Sequence, residues 1–261
     1  MAKVQEKWAK VKKVRWLTPD IVSVWLFEPQ MARRVKPGQF FGIMVPERRE
    51  LPLRRPISIA DVAEEIRLVF KVVGKGTWRL SQTRPGDEWN ILGPLGKPAP
   101  MVVNRDCILC GGGVGAAPLL FLAKYLIKRN RLRVFLGAKS ARDLILINDF
   151  RRLGVNPDVI TEDGSKGEKG VVTELVERAV KGPGSEERRP KVIVFACGPK
   201  EMLKDLKERI TDGAEVWAFF EERMGCGTGI CYTCAVPKNQ GGYIRLCQEG
   251  PVLPLKEVAF K

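Results

Sequence analysis

The sequence predicts an antiparallel β-barrel followed by a parallel α/β sheet, with a small cysteine-bearing module at the C-terminus. Three observations lead there. Up to about residue 100, short β-branched and aromatic runs recur between Pro/Gly turns, as in a small barrel. From about residue 105, apolar strands alternate with helical segments, the pattern of a parallel sheet with crossover helices. Beyond residue 225, four of the seven cysteines stand close together. The expected divisions are residues 1–100, 101–214 and 215–261.

In the first division the expected strands are Val11 to Val14, Ile21 to Phe27, Phe40 to Val45, Ile66 to Val73 and Glu88 to Leu92. Pro37-Gly38, Arg84-Pro85-Gly86-Asp87 and Gly93-Pro94-Leu95-Gly96 punctuate them. A strand also starts near Arg55, and a short helix runs from Thr77 to Gln82. In the second division Cys107 to Cys110 is a buried strand, then come a glycine loop and an apolar helix from Ala117 to Lys128. Strands follow at Arg133 to Leu136, Asp158 to Thr161 and Lys191 to Ala196, with helices at Val171 to Ala179 and Lys200 to Ile210. Gly182 to Arg189 reads as a polar loop, and a short strand from Glu215 leads into the cysteines.

Composition narrows the function classes. The 261 residues are 44% hydrophobic, enough for a proper core. The formal charge is +15, but the basic residues are scattered in short pairs such as Arg33-Arg34, Arg48-Arg49 and Arg188-Arg189 without a nucleic-acid motif. No nucleic-acid partner is expected. The absence of histidine excludes histidine acid–base chemistry and histidine metal ligands. No segment reads as a membrane span, and the N-terminus lacks a signal-peptide pattern, so the cytoplasm is the expected compartment. Reduced thiols suit that compartment.

The cysteines carry the most specific chemistry. Cys226, Cys231 and Cys234 stand as C-x4-C-x2-C, and Cys247 follows after twelve intervening residues. This is the spacing of plant-type 2Fe–2S proteins. Four thiolates can wrap such a cluster only if the backbone comes close, and Gly225, Gly227 and Gly229 permit that. A structural zinc site is the rival, yet it usually takes two short knuckles, and here Cys231 and Cys234 form the only one.

Two further constellations point to bound nucleotides. In Leu53-Arg54-Arg55-Pro56-Ile57-Ser58-Ile59, Arg55 offers a guanidinium suited to a pyrophosphate, and Ser58 a hydroxyl suited to a flavin ring edge. Val69-Phe70-Lys71 lies on the next strand, and Gly74-Lys75-Gly76-Thr77 opens a helix whose amides suit phosphate. Together these describe a cradle for FAD. Gly111-Gly112-Gly113-Val114-Gly115-Ala116-Ala117-Pro118 links a strand to a helix but departs from G-x-G-x-x-G, since Gly115 comes early and Ala116 replaces a glycine. Cys197-Gly198-Pro199 ends a strand at the sheet edge where α/β folds bind ligands, and its thiol is a candidate nicotinamide contact. Ser140, Arg142 and Asp163-Gly164-Ser165 fall on the same edge, whereas Glu221-Glu222 reads as a solvated lead-in to the cysteines.

Taken in order, these segments resemble the ferredoxin–NADP reductase superfamily, and within it the electron-transfer subunits of NAD-dependent dihydroorotate dehydrogenase. The resemblance rests on Arg54 to Ile59, Gly74 to Thr77, Gly93 to Gly96, Gly111 to Pro118, Cys197 to Pro199, Glu221 to Gly227 and Leu246 to Val252. It implies a ferredoxin-reductase-like FAD barrel, a NAD domain and a 2Fe–2S module. FAD would lie at Arg55, Pro56, Ile57, Ser58, Val69, Phe70, Lys71, Gly76 and Thr77, while the glycine turn and the strand end make Gly111, Gly113, Gly115, Cys197, Gly198 and Pro199 the candidate NAD contacts. Cys226, Cys231, Cys234 and Cys247 would hold the cluster. The implied partner is an FMN-containing catalytic subunit, in a two-plus-two heterotetramer of pyrimidine biosynthesis. Reductase subunits of hydrogenases, sulfide dehydrogenases and ferredoxin–NADP oxidoreductases share the layout and are the alternative. Gln248-Glu249 departs from the family's more usual acidic ending before Gly-Pro-Val.

Overall fold

A computed structural model of the chain describes residues 4–46, 50–182 and 192–260. The chain divides into two compact units, Met1–Ala99 with Phe220–Val252, and Pro100–Phe219 with Leu253–Lys261. The cysteine segment therefore belongs to the same unit as the N-terminal strands. The predicted polar loop beyond Gly182, the start of the predicted strand at Lys191 and the basic pairs at 48–49 and 188–189 lie outside the described residues.

In the first unit six strands close a barrel. They are β1 (Gln5–Thr18), β2 (Ile21–Phe27), β3 (Phe40–Ile43), β4 (Arg55–Val62), β5 (Ile66–Lys71) and β6 (Glu88–Leu95), in the order β1-β2-β5-β4-β3-β6. Every pairing is antiparallel. Two short helices, α1 (Pro29–Ala32) and α2 (Lys75–Ser81), sit in the connections. Phe41, Leu26, Ile43, Ile59, Ile66, Leu68 and Ile91 are fully buried and fill the core. β1 is much longer than the expected Val11 to Val14. Its first half alternates outward Trp8 and Lys10 with buried Ala9 and Val11, and it pairs with both β2 and β6. Register shifts between Val11 and Lys13 and between Trp16 and Thr18 bend it around the barrel.

The second unit is built on β7 (Asp106–Gly112), α3 (Ala116–Leu126), β8 (Arg131–Ala138), α4 (Ile147–Arg152), β9 (Asp158–Thr161), β10 (Glu168–Lys169), α5 (Val172–Lys181), β11 (Val192–Cys197), α6 (Lys200–Arg209) and β12 (Ala214–Phe219). The chain then returns to the first unit, where β13 (Ala235–Pro237) and β14 (Tyr243–Arg245) form a hairpin, before β15 (Val252–Pro254) edges the sheet. The sheet order is β10-β9-β8-β7-β11-β12-β15, and the pairings from β10 through β12 are parallel. β7 extends past the expected Cys110 because Gly111 and Gly112 pair with Leu136 and Gly137 of β8. α4 and the β13–β14 hairpin were not expected: one is a six-residue helix and the other two strands of three residues, too short to show a period. Among the described residues no helix is long and apolar enough to cross a membrane.

α5 and α6 are stapled together. The buried Thr173 hydroxyl donates to Asp205, whose carboxylate also accepts from Arg209, and Arg209 reaches Glu177 at 2.8 Å. Phe195, within the interior strand β11, is wholly buried. Phe195→Ala is expected to cost about 3–5 kcal/mol by opening a cavity. Urea unfolding followed by far-UV circular dichroism checks this, since α3, α5 and α6 all lie in the sheet unit.

Candidate functional site

The four C-terminal cysteines fall into two pairs. The Cys226 amide donates to Cys231 Sγ at 3.3 Å, and the Cys231 amide donates back to Cys226 Sγ at 3.5 Å. Cys234 Sγ lies 3.3 Å from Cys247 Sγ. Among the described residues no three cysteine, aspartate or glutamate side chains converge on one point. A tetrahedral zinc site would need four sulfurs mutually about 3.8 Å apart, given its ~2.3 Å Zn–S bonds. Two separate pairs instead fit a two-metal centre.

The loop between Cys226 and Cys231 is shaped to approach sulfur closely. Gly227 and Gly229 have φ of +71° and +87°, in the left-handed region. A Cβ on Gly229 would lie 2.5 Å from Gln248 Cγ. The resulting backbone aims the amides of Thr228 (3.3 Å) and Ile230 (3.4 Å) at Cys226 Sγ, and the Thr233 hydroxyl at Cys231 Sγ (3.2 Å). Partial burial opposes ionisation of Cys226. Hydrogen bonds from Thr228 and from the amides of Cys231, Thr228 and Ile230 outweigh it and hold the thiol down to about 6. Cys231 is also lowered, chiefly by the Thr233 hydroxyl. Cys247 is the opposite case: burial, then its contact with Cys234, pushes it up to about 12.

This loop is locked to the barrel. The Gly96 amide donates to the Cys247 carbonyl at 3.1 Å, and the Lys97 amide to the Gly250 carbonyl at 2.6 Å. Gly93, Pro94 and Leu95, expected as a turn, instead continue β6, where Gly93 pairs with Gln5 and Leu95 with Phe40, and the end of that strand receives the cysteine segment directly. A cleft runs between them, lined by Phe40, Gly42, Arg54, Pro56 and Leu95 from the barrel and by Met224, Gly225 and Cys226 from the loop.

β4 presents the Arg-Pro-Ile-Ser string against β3, with Arg55 opposite Ile43, Pro56 opposite Gly42, Ile57 opposite Phe41 and Ser58 opposite Phe40. Ile57 faces the core, while Arg55, Pro56 and Ser58 remain accessible. Arg55 lies beside Gly76, close enough that any Cβ there would overlap its guanidinium. The two motifs read separately in the sequence therefore meet. The Thr77 hydroxyl accepts from the Val73 and Gly74 amides at 3.0 and 3.2 Å and caps α2. Val69 and Phe70 bury their side chains in the barrel, and Lys71 pairs with Asp20 at 3.0 Å. Arg54, given no separate role in the sequence reading, binds the Gly42 and Asn90 carbonyls at 3.2 and 3.3 Å and Glu6 at 3.0 Å, clipping strands beneath the cleft.

In the sheet unit, β7 and β11 are neighbours at the point where strand order reverses, which is where open α/β sheets bind ligands. Gly111 pairs with Cys197, so the glycine turn and Cys197-Gly198-Pro199 stand side by side. A Cβ on Gly115 would collide with the Cys197 carbonyl, and one on Gly112 would lie 2.7 Å from Met202 Sδ. Gly113 alone of the group has positive φ, +54°. The Cys197 thiol is buried. Ser140 donates to Asp143 at 2.8 Å, and the Ala141 amide to the Ser165 hydroxyl at 2.7 Å, joining the two flanking turns. Burial and desolvation also explain the raised thiols of Cys107 and Cys110, which belong to the core.

Known proteins resemble the chain along its whole length. The iron–sulfur cluster binding domain of dihydroorotate dehydrogenase B matches residues 221–259, and the oxidoreductase NAD-binding domain matches residues 109–208. The electron transfer subunit of dihydroorotate dehydrogenase B (NAD(+)) from Desulforamulus reducens is 37% identical, covering 97% of this chain and 98% of the relative. Its counterpart from Caldanaerobacter subterraneus subsp. tengcongensis is 40% identical over 87% of this chain and 89% of that one. Among solved structures, an NADH-dependent reduced ferredoxin-NADP oxidoreductase superposes with a TM-score of 0.85 at 31% identity, covering 96% of this chain and 89% of the other.

The hydrogen bonds around Cys226 generate a pH prediction. In metal-free protein its thiolate forms as pH rises through about 6, so alkylation by iodoacetamide should climb there and level off near neutrality. Cys247 should stay unmodified until the fold opens. Peptide mass spectrometry across pH 5 to 9 reads both; a Cys226 rate still rising steeply at pH 8 would contradict the assignment.

Proposed function

Because the chain belongs to the family of electron transfer subunits of dihydroorotate dehydrogenase B (NAD(+)), we propose that it carries electrons between a dihydroorotate-oxidising, FMN-containing catalytic subunit and NAD+, by way of FAD and a 2Fe–2S cluster. The observation that carries the proposal is the cleft shared by Pro56 and Cys226, on a loop tied to the barrel through Gly96 and Cys247. When bound, a flavin supplies exchange of hydride with a nicotinamide and of single electrons with a cluster. The chain's own residues bind and orient. Arg55, Pro56, Ile57 and Ser58, the backbone of Val69 to Lys71, and Gly76 with Thr77 are assigned to the flavin. Gly111, Gly113, Gly115, Cys197, Gly198 and Pro199 are assigned to the nicotinamide nucleotide, where the glycine turn and the end of β11 stand side by side. Cys226, Cys231, Cys234 and Cys247 are assigned as the cluster ligands, with the Thr228 and Ile230 amides favouring charge on sulfur.

The same division of labour gives three functional parts, residues 1–100, 101–214 and 215–261. Ile230 (80% exposed) and Tyr232 (58%) flank Cys231 in the chain with exposed apolar surface, and we assign this face to the catalytic subunit in a two-plus-two heterotetramer. The cytoplasm is the compartment that keeps such thiols reduced. A second reading, a reductase subunit with another acceptor, is favoured by the likeness to the ferredoxin-NADP oxidoreductase.

Anaerobic purification with the catalytic subunit, followed by assay of dihydroorotate-dependent NAD+ reduction, separates the two readings. Activity supports the first; its absence with an intact FMN partner overturns it. Cys231→Ser is expected to reduce the coupled activity more than a hundredfold (about 2.7 kcal/mol) while NADH still bleaches the flavin. Stopped-flow absorbance at the flavin band checks the second half.

A further inference from the structure

We propose that Arg245 is a positioning residue that closes the cysteine loop and, with Glu249, sets the reduction potential of the centre held there. The inference rests on the cluster reading of the four cysteines. Arg245 ends β14, two residues before Cys247. Its Nη1 donates to the Gly229 carbonyl at 3.1 Å, inside the loop between Cys226 and Cys231. The guanidinium lies 5.1 Å from the centroid of the Tyr232 ring. Tyr232 is a non-glycine residue with φ of +58°, a conformation that must be held from outside. Arg245 Nε and Nη2 grip the two oxygens of Glu249 at 2.5 to 3.3 Å, and the Arg245 amide donates to Glu249 Oε2 at 2.8 Å. One cation thus joins the loop bearing three cysteines to the segment bearing the fourth.

The pair is about one-third exposed, and such a pair contributes little to stability by itself. Its placement has a different consequence. Reduction adds negative charge to the centre, so the guanidinium favours the reduced state and the carboxylate opposes it. Removing either partner breaks the same fork. Mechanical loosening alone would shift the potential in one common direction, whereas charge tuning shifts it in opposite directions.

The test uses anaerobically purified holoprotein, with the potential read by titration monitored through electron paramagnetic resonance. R245Q should lower the reduced-to-oxidised ratio at the wild-type midpoint on the order of tenfold, ~59 mV for one electron. E249Q should raise the midpoint. R245K keeps the charge without the fork and should hold the potential within about threefold, yet lose iron faster to a chelator. Shifts of the same sign in R245Q and E249Q, or none, overturn the charge role. Iron loss from R245K at the wild-type rate overturns the clamp. If R245Q fails to hold iron, the sign of the E249Q shift decides. A wild-type protein with no such paramagnetic signal on reduction would instead overturn the cluster reading itself.

Discussion

The hydrogen bond from the Gly96 amide to the Cys247 carbonyl organises the first unit. It joins the end of β6 to a segment 151 residues later in the chain, after every parallel strand of the sheet has been made. The Lys97–Gly250 bond extends the same seam, and the Phe220–Pro251 bond (2.9 Å) ties the two ends of the cysteine segment together. The seam needs backbone to lie on backbone. Gly96 has φ of +75°, and a Cβ there would stand 2.7 Å from Pro251 Cδ and 2.8 Å from the Gly250 carbonyl. Gly38 makes the same demand nearby, since its Cβ would meet the Ala99 amide nitrogen at 2.5 Å. A side chain at Gly96 would press the cysteine segment away from the barrel, and one at Gly38 would displace the chain at Ala99. A site that needs geometry held to fractions of an ångström gains from being built on such a rigid support.

Within that support the four thiols have unequal surroundings. Cys226 and Cys231 sit towards solvent and are wrapped by amide and hydroxyl donors, while Cys234 and Cys247 are buried. Donors converging on sulfur are already in place along the protein backbone, so the loop need not rearrange to stabilise thiolate. Of the buried pair, Cys247 is the costlier to ionise, because burial and its contact with Cys234 both oppose charge on its sulfur.

The parts legible in the sequence were those set by local chemistry. Cysteine spacing, the Gly-x-Gly-Thr element and the strand–helix alternation each leave a mark within ten residues or so. What stayed hidden depends on distant partners. β1 reads as charged because Glu6, Lys10, Lys12 and Lys13 are exposed along it, and only pairing with β2 and β6 makes it a strand of fourteen residues. Arg54 and Arg55 are adjacent in sequence, yet one clips strands together and the other lies against Gly76. Arg245 could have been found: it stands four residues before Glu249, and the two charges bracket Cys247 in the sequence. The Gln248-Glu249 departure from the family pattern has a local reason as well, since Gln248 packs on Gly229 and Glu249 anchors Arg245.

The glycine turn after β7 shows why a motif can depart from its usual spacing and keep its place in the fold. Gly111 and Gly112 are strand residues paired with β8, not loop residues. Gly112 must be small because Met202 and Pro199 press on it, Gly113 because its backbone is left-handed, and Gly115 because the Cys197 carbonyl fills the space a Cβ would take. Three different constraints act on three positions. Ala116 can replace a glycine because α3 has begun there with ordinary helical angles and nothing at that point requires positive φ. The requirement is close approach of β7, α3 and β11 at the reversal of strand order, and any spacing of small residues that meets it will serve. Cys197 follows the same logic: its carbonyl and the neighbouring Gly198 shape the crevice, while its thiol is spent in the core.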